Sequence, residues 1–306
     1  MEPRERCLTE KQEGISSSCY HRKKTMSQWT IAVGVGLITA SGLLYIIFRQ
    51  KKKKIYPENV IILHQFPRIR EAPNISPFAI KLETFLRMAK LPYQVEYTFE
   101  MSPKHKIPWI TYNGEVVSDS QFIIEYLNKK FNLNFNSHLT DEQRSIARAM
   151  QKMLEENLYW GLVRLRWVYG NSYTRKIIPM LAYQYWLIKR RCQRSTYSQG
   201  IGRHTLAEVN QIVMDDLKAL SDFLGKKKFL MGDELCETDF AIFGMIAYSR
   251  QMPENCILKE IIDDDVFPNI TAYFERMKSM YWPDWFDPTV KFPTFGLQPQ
   301  KSHFTS

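Results

Sequence analysis

The sequence predicts an α/β unit followed by an all-α unit, with one transmembrane helix ahead of both. Three observations predict this. A charge-free run of 20 residues, from Trp29 to Phe48, is followed by a cluster of cations. Short apolar runs alternate with helical apolar spacing across residues 58–132. From Thr140 onward the spacing is helical throughout, with helix-start signatures at Thr140 and Thr205.

The anchor reads WTIAVGVGLITASGLLYIIF. At ~1.5 Å rise per residue, such a helix spans roughly 30 Å, the thickness of a bilayer's hydrocarbon core. Trp29 and Tyr45 stand near its ends, where aromatic rings favour the membrane interface. A core helix is rarely apolar on every face. A cleaved signal sequence would be followed by small residues, not by Arg49 and Lys51 to Lys54. Those five cations outnumber Arg22, Lys23 and Lys24 upstream, so the C-terminal part is expected on the cytosolic side of a membrane that the sequence does not specify. Residues 1–28 then form an N-terminal flank and residues 49–57 a basic linker. Ala32, Gly36 and Ala40 recur every four residues, and read either as ordinary lipid-facing positions or as the close-approach stripe of a homodimer.

Of the net charge of +10, +7 falls within residues 1–54, which hold 11 Lys/Arg against 4 Asp/Glu. The remainder is nearly neutral and lacks the basic balance of a nucleic-acid-binding domain. With 44% apolar residues, the whole chain is rich enough to build a core. The five cysteines, Cys7, Cys19, Cys192, Cys236 and Cys256, are odd in number and form no CxxC. Neither a disulfide framework nor a metal site is expected, and the usage fits a reducing compartment.

Asn59 to Phe66 is an apolar run suited to a buried strand. After Pro67, Pro73 and Asn74 comes SPFAIKLETFLRMAKLP, which places Phe78, Leu82, Phe85, Leu86 and Ala89 on one helical face. Ser76 suits the N-cap and Pro77 the first helical position. Tyr93 to Phe99 is again strand-like. Ile107-Pro108-Trp109-Ile110 runs through Asn113-Gly114 into Glu115-Val116-Val117, and Asn-Gly between two such runs signals a hairpin. Ser118, Asp119 and Ser120 then lead a helix carrying Phe122, Ile123, Tyr126 and Leu127. The expected order over 58–132 is strand, helix, strand, strand, strand, helix.

Residues 138–285 are expected to be helical, with 286–306 a tail. The capping box at Thr140-Asp141-Glu142-Gln143 opens a helix with Ile146, Met150, Met153 and Leu154 inward, and Trp160 and Trp167 are expected in an aromatic core. A second box, Thr205-Leu206-Ala207-Glu208, opens a helix with Val209, Ile212, Val213, Leu217 and Leu220 inward, ending near Gly225. Ile177 to Ile188, followed by Lys189, Arg190, Arg191 and Arg194, is too short to span a membrane. It reads either as a core helix with a solvated basic end or as a segment lying on a membrane surface. The sequons at Asn74 and Asn269 precede helix-like runs and are expected to be unused.

This order of elements is that of the thioredoxin-like N-domain of glutathione transferases, and the resemblance extends to residues. SPFAIKLETFLRM resembles the first helix of that fold, whose opening residue is the catalytic Cys or Ser in many transferases, which implies Ser76 as the candidate catalytic residue. On chemical grounds Ser76 reads first as a plain cap. A helix N-terminus favours a thiolate, but a serine hydroxyl is not ionised there and can only donate a hydrogen bond to a bound thiolate. KIPW resembles the segment with a cis-proline before the third strand, which implies a cis Ile107–Pro108 bond and makes Ile107 and Pro108 ligand-binding candidates. SDS resembles the acidic-Ser pair that holds the γ-glutamyl end of glutathione. This implies a ligand role for Asp119 and Ser120, against a reading as helix caps alone, and glutathione as the ligand. FLMGDELCETDFAIFGMIAY resembles the sixth helix of transferase C-domains. Asp239 matches its buried structural Asp, while Cys236 replaces the usual capping Ser/Thr.

Taken together, VIILHQFPR, NISPFAIKLETFLRMAKLPYQ, KIPWITYNGE, ENLYWGLVR and GIGRHTLAEV resemble the failed axon connections family over about residues 58–285. That family is related to the metaxins of the mitochondrial outer membrane. The resemblance implies a role in axon development, no established enzymatic activity and no proven catalytic residue to carry over. An N-terminal anchor also occurs in the family, and the C-terminal tail beyond Trp285 is expected to be shorter than in its longer members. Three functions follow: a membrane-tethered binding or adaptor protein with unknown protein partners, a glutathione-dependent transferase or glutathione/hydrophobic-ligand binder, and a metaxin-like component of a mitochondrial outer-membrane complex.

Overall fold

The computed structural model describes residues 54–69, 71–170, 182–252, 256–258, 261 and 265–286. The expected transmembrane helix at 29–48, residues 1–28 and 49–53 beside it and the first part of the 177–194 segment lie outside these residues. Among the described residues, no helix is long and apolar enough to cross a membrane. All elements below belong to the compact unit Tyr56–Ser306.

Strand β1 (Ile61–Gln65) is buried at every position, helix α1 (Pro77–Met88) follows, and β2 (Tyr93–Tyr97) returns parallel to β1. Strands β3 (Trp109–Tyr112) and β4 (Glu115–Ser118) form an antiparallel hairpin, and α2 (Ser120–Phe131) closes this portion. The sheet order is β2-β1-β3-β4, with β3 antiparallel to β1. The hairpin closes at the Tyr112–Glu115 pair through Asn113 at φ 47° and Gly114 at φ 84°. Two consecutive positive φ angles are what this two-residue turn demands and what Asn-Gly supplies. On α1, Ile80, Leu82, Phe85 and Leu86 are fully buried. Each such side chain contributes ~1.5–3 kcal/mol of transfer free energy.

The helical part opens at α3 (Asp141–Lys152), where both bonds of the Thr140/Gln143 capping box form. The helix continues through a π-turn at Met153–Leu158, a short α4 (Tyr159–Val163) and a second π-turn at Arg164–Tyr169. Each π-turn widens the hydrogen-bond register and rotates the residues that follow. Then come α5 (Ala182–Gln199), α6 (Leu206–Leu224) with its Thr205/Glu208 box and Gly225 end, α7 (Glu237–Ser249) and α8 (Pro268–Tyr281). Helix α7 is buried from Thr238 to Ser249 and packs against α1. The two backbones come so close at Gly244 that a Cβ there would stand 2.4 Å from the Pro77 carbonyl oxygen.

Leu154 is fully buried, and Met150, Met153 and Trp160 pack against the core while partly exposed. Ala147 and Gln151 are the buried residues of α3, while Ile146 and Met150 are only half-buried. Trp160 and Trp167 are likewise half-buried, and the fully buried tryptophan is Trp282, just past α8. A charged clamp surrounds Trp282. Arg87 donates to both carboxylate oxygens of Asp284, at 2.5 and 2.9 Å, and lies 3.9 Å from the centroid of the Trp282 ring. Arg68 also binds Asp284, and Trp282 Nε1 donates to Thr84 Oγ1 at 2.9 Å. These bonds draw the segment after α8 onto α1.

Asp239 holds the head of α7. Buried at 0% exposure, it accepts from the Leu230 and Cys236 backbone N–H groups at 2.9 and 2.8 Å and from the Tyr273 hydroxyl at 3.0 Å. Cys192, Cys236 and Cys256 form no disulfide. The sequon at Asn74 is buried, its side chain donating to the Phe66 carbonyl and accepting from Ser76 N–H. The Asn269 amide bonds the Ser221 and Gly225 carbonyls. Both geometries oppose glycan attachment to the folded chain.

Candidate ligand site

Chain direction brings the five sequence-named positions, Ser76, Ile107, Pro108, Asp119 and Ser120, to one end of the sheet. Pro108 and Asp119 flank the Trp109–Ser118 pair, so the entry to β3 and the exit from β4 lie side by side. His64, near the end of β1, pairs with Trp109, and the chain leaving β1 reaches Ser76 at the head of α1. Lys81 of α1 donates to Gln121 of α2 at 2.8 Å and links the two helix starts.

Ser76 occupies the N-cap of α1, but its hydroxyl makes no capping hydrogen bond, so the expected side-chain cap is absent. Its N–H is held by Asn74 Oδ1 at 2.9 Å. The Asn74 carbonyl accepts from Gln251 Nε2 at 3.2 Å, and Gln251 Oε1 accepts from the buried Arg166 at 3.2 Å. An aromatic layer stands beside this relay. Phe78 packs edge-on against Tyr159 at 4.9 Å, Tyr159 lies 6.2 Å from Tyr248, and Arg166 sits 5.0 Å over the Tyr248 ring. Burial pushes the Tyr159 and Tyr248 hydroxyls up, so neither is a source of charge at neutral pH.

The Ile107–Pro108 peptide is cis, as the resemblance implied, with Pro108 buried and Ile107 half-buried. Asp119 is the N-cap of α2 and accepts from Gln121 N–H at 3.1 Å. Its φ of 82° is rare for a residue with a side chain, and such geometry clusters at binding sites. Its other oxygen is taken: Lys106 Nζ donates to Asp119 Oδ2 at 2.6 Å. Half-burial opposes ionisation of Asp119, but the bond and charge of Lys106 prevail and hold its carboxyl below the usual range. Ser120 is buried as the first residue of α2.

Several of these groups were not singled out from sequence. Lys106 stands two residues before Pro108. Lys81 is buried and paired with buried Glu155 at 2.7 Å, with Gln151 donating to the other Glu155 oxygen at 3.1 Å. A signal for it existed: Lys81 lies three residues after Phe78 and four before Phe85, within the apolar face of α1, where a charge requires a partner. Glu155 and Arg166 each fall in a π-turn. Among the described residues, no three His, Cys, Asp or Glu side chains group as a metal set.

Residues 77–172 match the family described as glutathione S-transferase N-terminal domain, and residues 213–277 match its C-terminal domain. Failed axon connections of Drosophila melanogaster is 30% identical over 76% of this chain and 60% of its own length. The chain is thus similar to failed axon connections and, through both matched models, to glutathione S-transferases. It spans less than two thirds of that relative's length. Two other similar proteins of this glutathione-transferase-like group are covered almost whole. The isoprene-epoxide glutathione S-transferase of a Rhodococcus strain is 27% identical over 68% of this chain and 94% of its own length. Metaxin-2 of Mus musculus is 24% identical over 75% and 91%. Among solved structures, a Sphingobium beta-etherase covers 72% of this chain and 95% of its own, with a TM-score of 0.54 at 16% identity. That likeness establishes the shared fold of a small mixed sheet with a mostly helical C-terminal part.

Proposed function

We propose that this chain is a protein of the failed axon connections type, a membrane-anchored binding or adaptor protein that keeps the transferase scaffold without transferase chemistry, with a role in axon development. The observation that carries the reading is the Lys106–Asp119 pair. In the resembling site an acidic residue receives the ammonium of a γ-glutamyl group. Here an ammonium of the chain itself already stands 2.6 Å from that carboxylate. The residues therefore fit glutathione poorly. Ser76 supplies a hydroxyl instead of a thiol, and the tyrosines beside it are driven away from ionisation. The charge-free run 29–48 and its cationic flanks support tethering, with the C-terminal part facing the cytosol. The test is turnover: purified chain supplied with glutathione and electrophilic substrates is expected to give no saturable rate, and saturable turnover would overturn the reading.

A glutathione-dependent enzyme or ligand binder is the second reading. The strained Asp119 backbone and the similarity to the isoprene-epoxide transferase favour it. It requires Lys106, which is more than half exposed, to swing off the carboxylate. The metaxin relatives support a third reading, a component of a mitochondrial outer-membrane complex. Imaging residues 1–54 fused to a reporter distinguishes that membrane from others.

A further inference from the structure

Helix α5 carries two opposed faces. The inner one holds Tyr185, Cys192 and Thr196, seven and four residues apart. Tyr185 donates to the Trp167 carbonyl at 3.3 Å, and Thr196 Oγ1 accepts from Arg164 at 3.2 Å. At 100° per residue, Tyr183, Trp186, Leu187, Arg190, Arg194 and Tyr197 fall on the opposite side. The four apolar members are 61%, 51%, 51% and 59% exposed, in the order Tyr183, Trp186, Leu187 and Tyr197. A merely solvated basic face has no use for two tyrosines, a tryptophan and a leucine turned outward together.

The charges on this helix share one sign. Between Ala182 and Gln199 there is no Asp or Glu, while Lys189, Arg190, Arg191 and Arg194 are cationic. Arg190 lies 4.7 Å over the Trp186 ring, so a cation and an aromatic face occupy the same patch. Glu156 on a neighbouring element accepts from Gln199 through its carbonyl, and its carboxylate is paired with Lys152 at 3.3 Å. A partner must therefore supply negative charge together with a zone in which rings are half-wetted. An anionic bilayer interface provides both: headgroups for the arginines, and the headgroup–acyl boundary for Trp186, Tyr183 and Leu187.

We infer that helix α5 docks its Tyr183–Trp186–Leu187–Arg190–Arg194 face onto an anionic phospholipid surface. This holds the folded unit against a bilayer through a contact separate from the anchor, and it does not depend on the reading of the Ser76 site.

Trp186 is the built-in probe. The full chain is mixed with vesicles of brominated phosphatidylcholine, with or without about one third phosphatidylserine. The anionic lipid should add a quench of roughly one tryptophan's share among the seven. That increment should vanish in Trp186→Phe, fall in the charge-reversed pair Arg190→Glu with Arg194→Glu, and disappear at about 1 M salt, where screening acts within ~3 Å. These positions face outward, so thermal unfolding of each variant should match the parent. Equal quenching in both vesicle types overturns the inference. So does a Trp186 signal that follows protein concentration and ignores lipid charge, which would assign the face to a second copy of the chain.

Discussion

Lys106 places its ammonium 2.6 Å from Asp119 Oδ2 at the head of α2, joining the segment before the cis Pro108 to the helix after β4. The bond couples the two pieces of chain that flank the β3–β4 hairpin.

The Asp119 carboxyl should titrate below the ordinary aspartate range, because Lys106 outweighs the half-burial that opposes its charge. Its folded value is depressed, so the stability it lends is present above the unfolded value of 3.8 and is lost as pH falls through the folded one. Lys106→Ala should move the midpoint upward. Carbon-detected NMR of the Asp119 side chain reads both states, and an unchanged midpoint would show that the pair is not formed in solution.

Lys81 and Glu155 form an ion pair with side chains 2% and 7% exposed. Removing one partner strands a buried charge, so Lys81→Met or Glu155→Leu alone should cost ~3–5 kcal/mol. The double variant should recover most of the loss, since an apolar pair of similar volume is close to neutral. Urea unfolding of the three variants completes the cycle, and additive losses would contradict a direct pair.

Gly244→Ala should destabilise by ~1–3 kcal/mol, because the new methyl meets the Pro77 carbonyl at the contact of α7 with α1. The urea midpoint should fall with little change in slope.

Burial raises the Asp216 carboxyl to about 6, against the hydrogen bond it accepts from Asn157 at 2.9 Å. Between pH 4 and 6 the folded state therefore binds more protons than the unfolded one, and stability falls as pH rises through that window. Asp216→Asn keeps a polar group for Asn157 and removes the charge. It should raise the melting temperature at pH 7 and have little effect at pH 4.

The parts of the fold legible in sequence are those that local chemistry decides. The Asn113-Gly114 hairpin, both Thr-led capping boxes and the Gly225 stop are set by residues within a few positions of one another. The pairs that were missed are distant: Arg87 and Asp284 are 197 residues apart, and Lys81 and Glu155 are 74 apart. Glu155 also lies in a π-turn, where a regular 3.6-residue spacing assigns it to the wrong face. At the site, the positions of Ser76, Pro108 and Asp119 were legible from resemblance. The occupation of Asp119 by Lys106 was not, because that ammonium arrives from a loop 13 residues away in sequence.

The central claim is that this scaffold holds no working glutathione site, and calorimetric titration of glutathione into the purified chain, beside Ser76→Ala, tests it most directly. The account predicts no binding heat at millimolar glutathione in either protein. Saturable binding that weakens in Ser76→Ala would contradict it and make the head of α1 a ligand site.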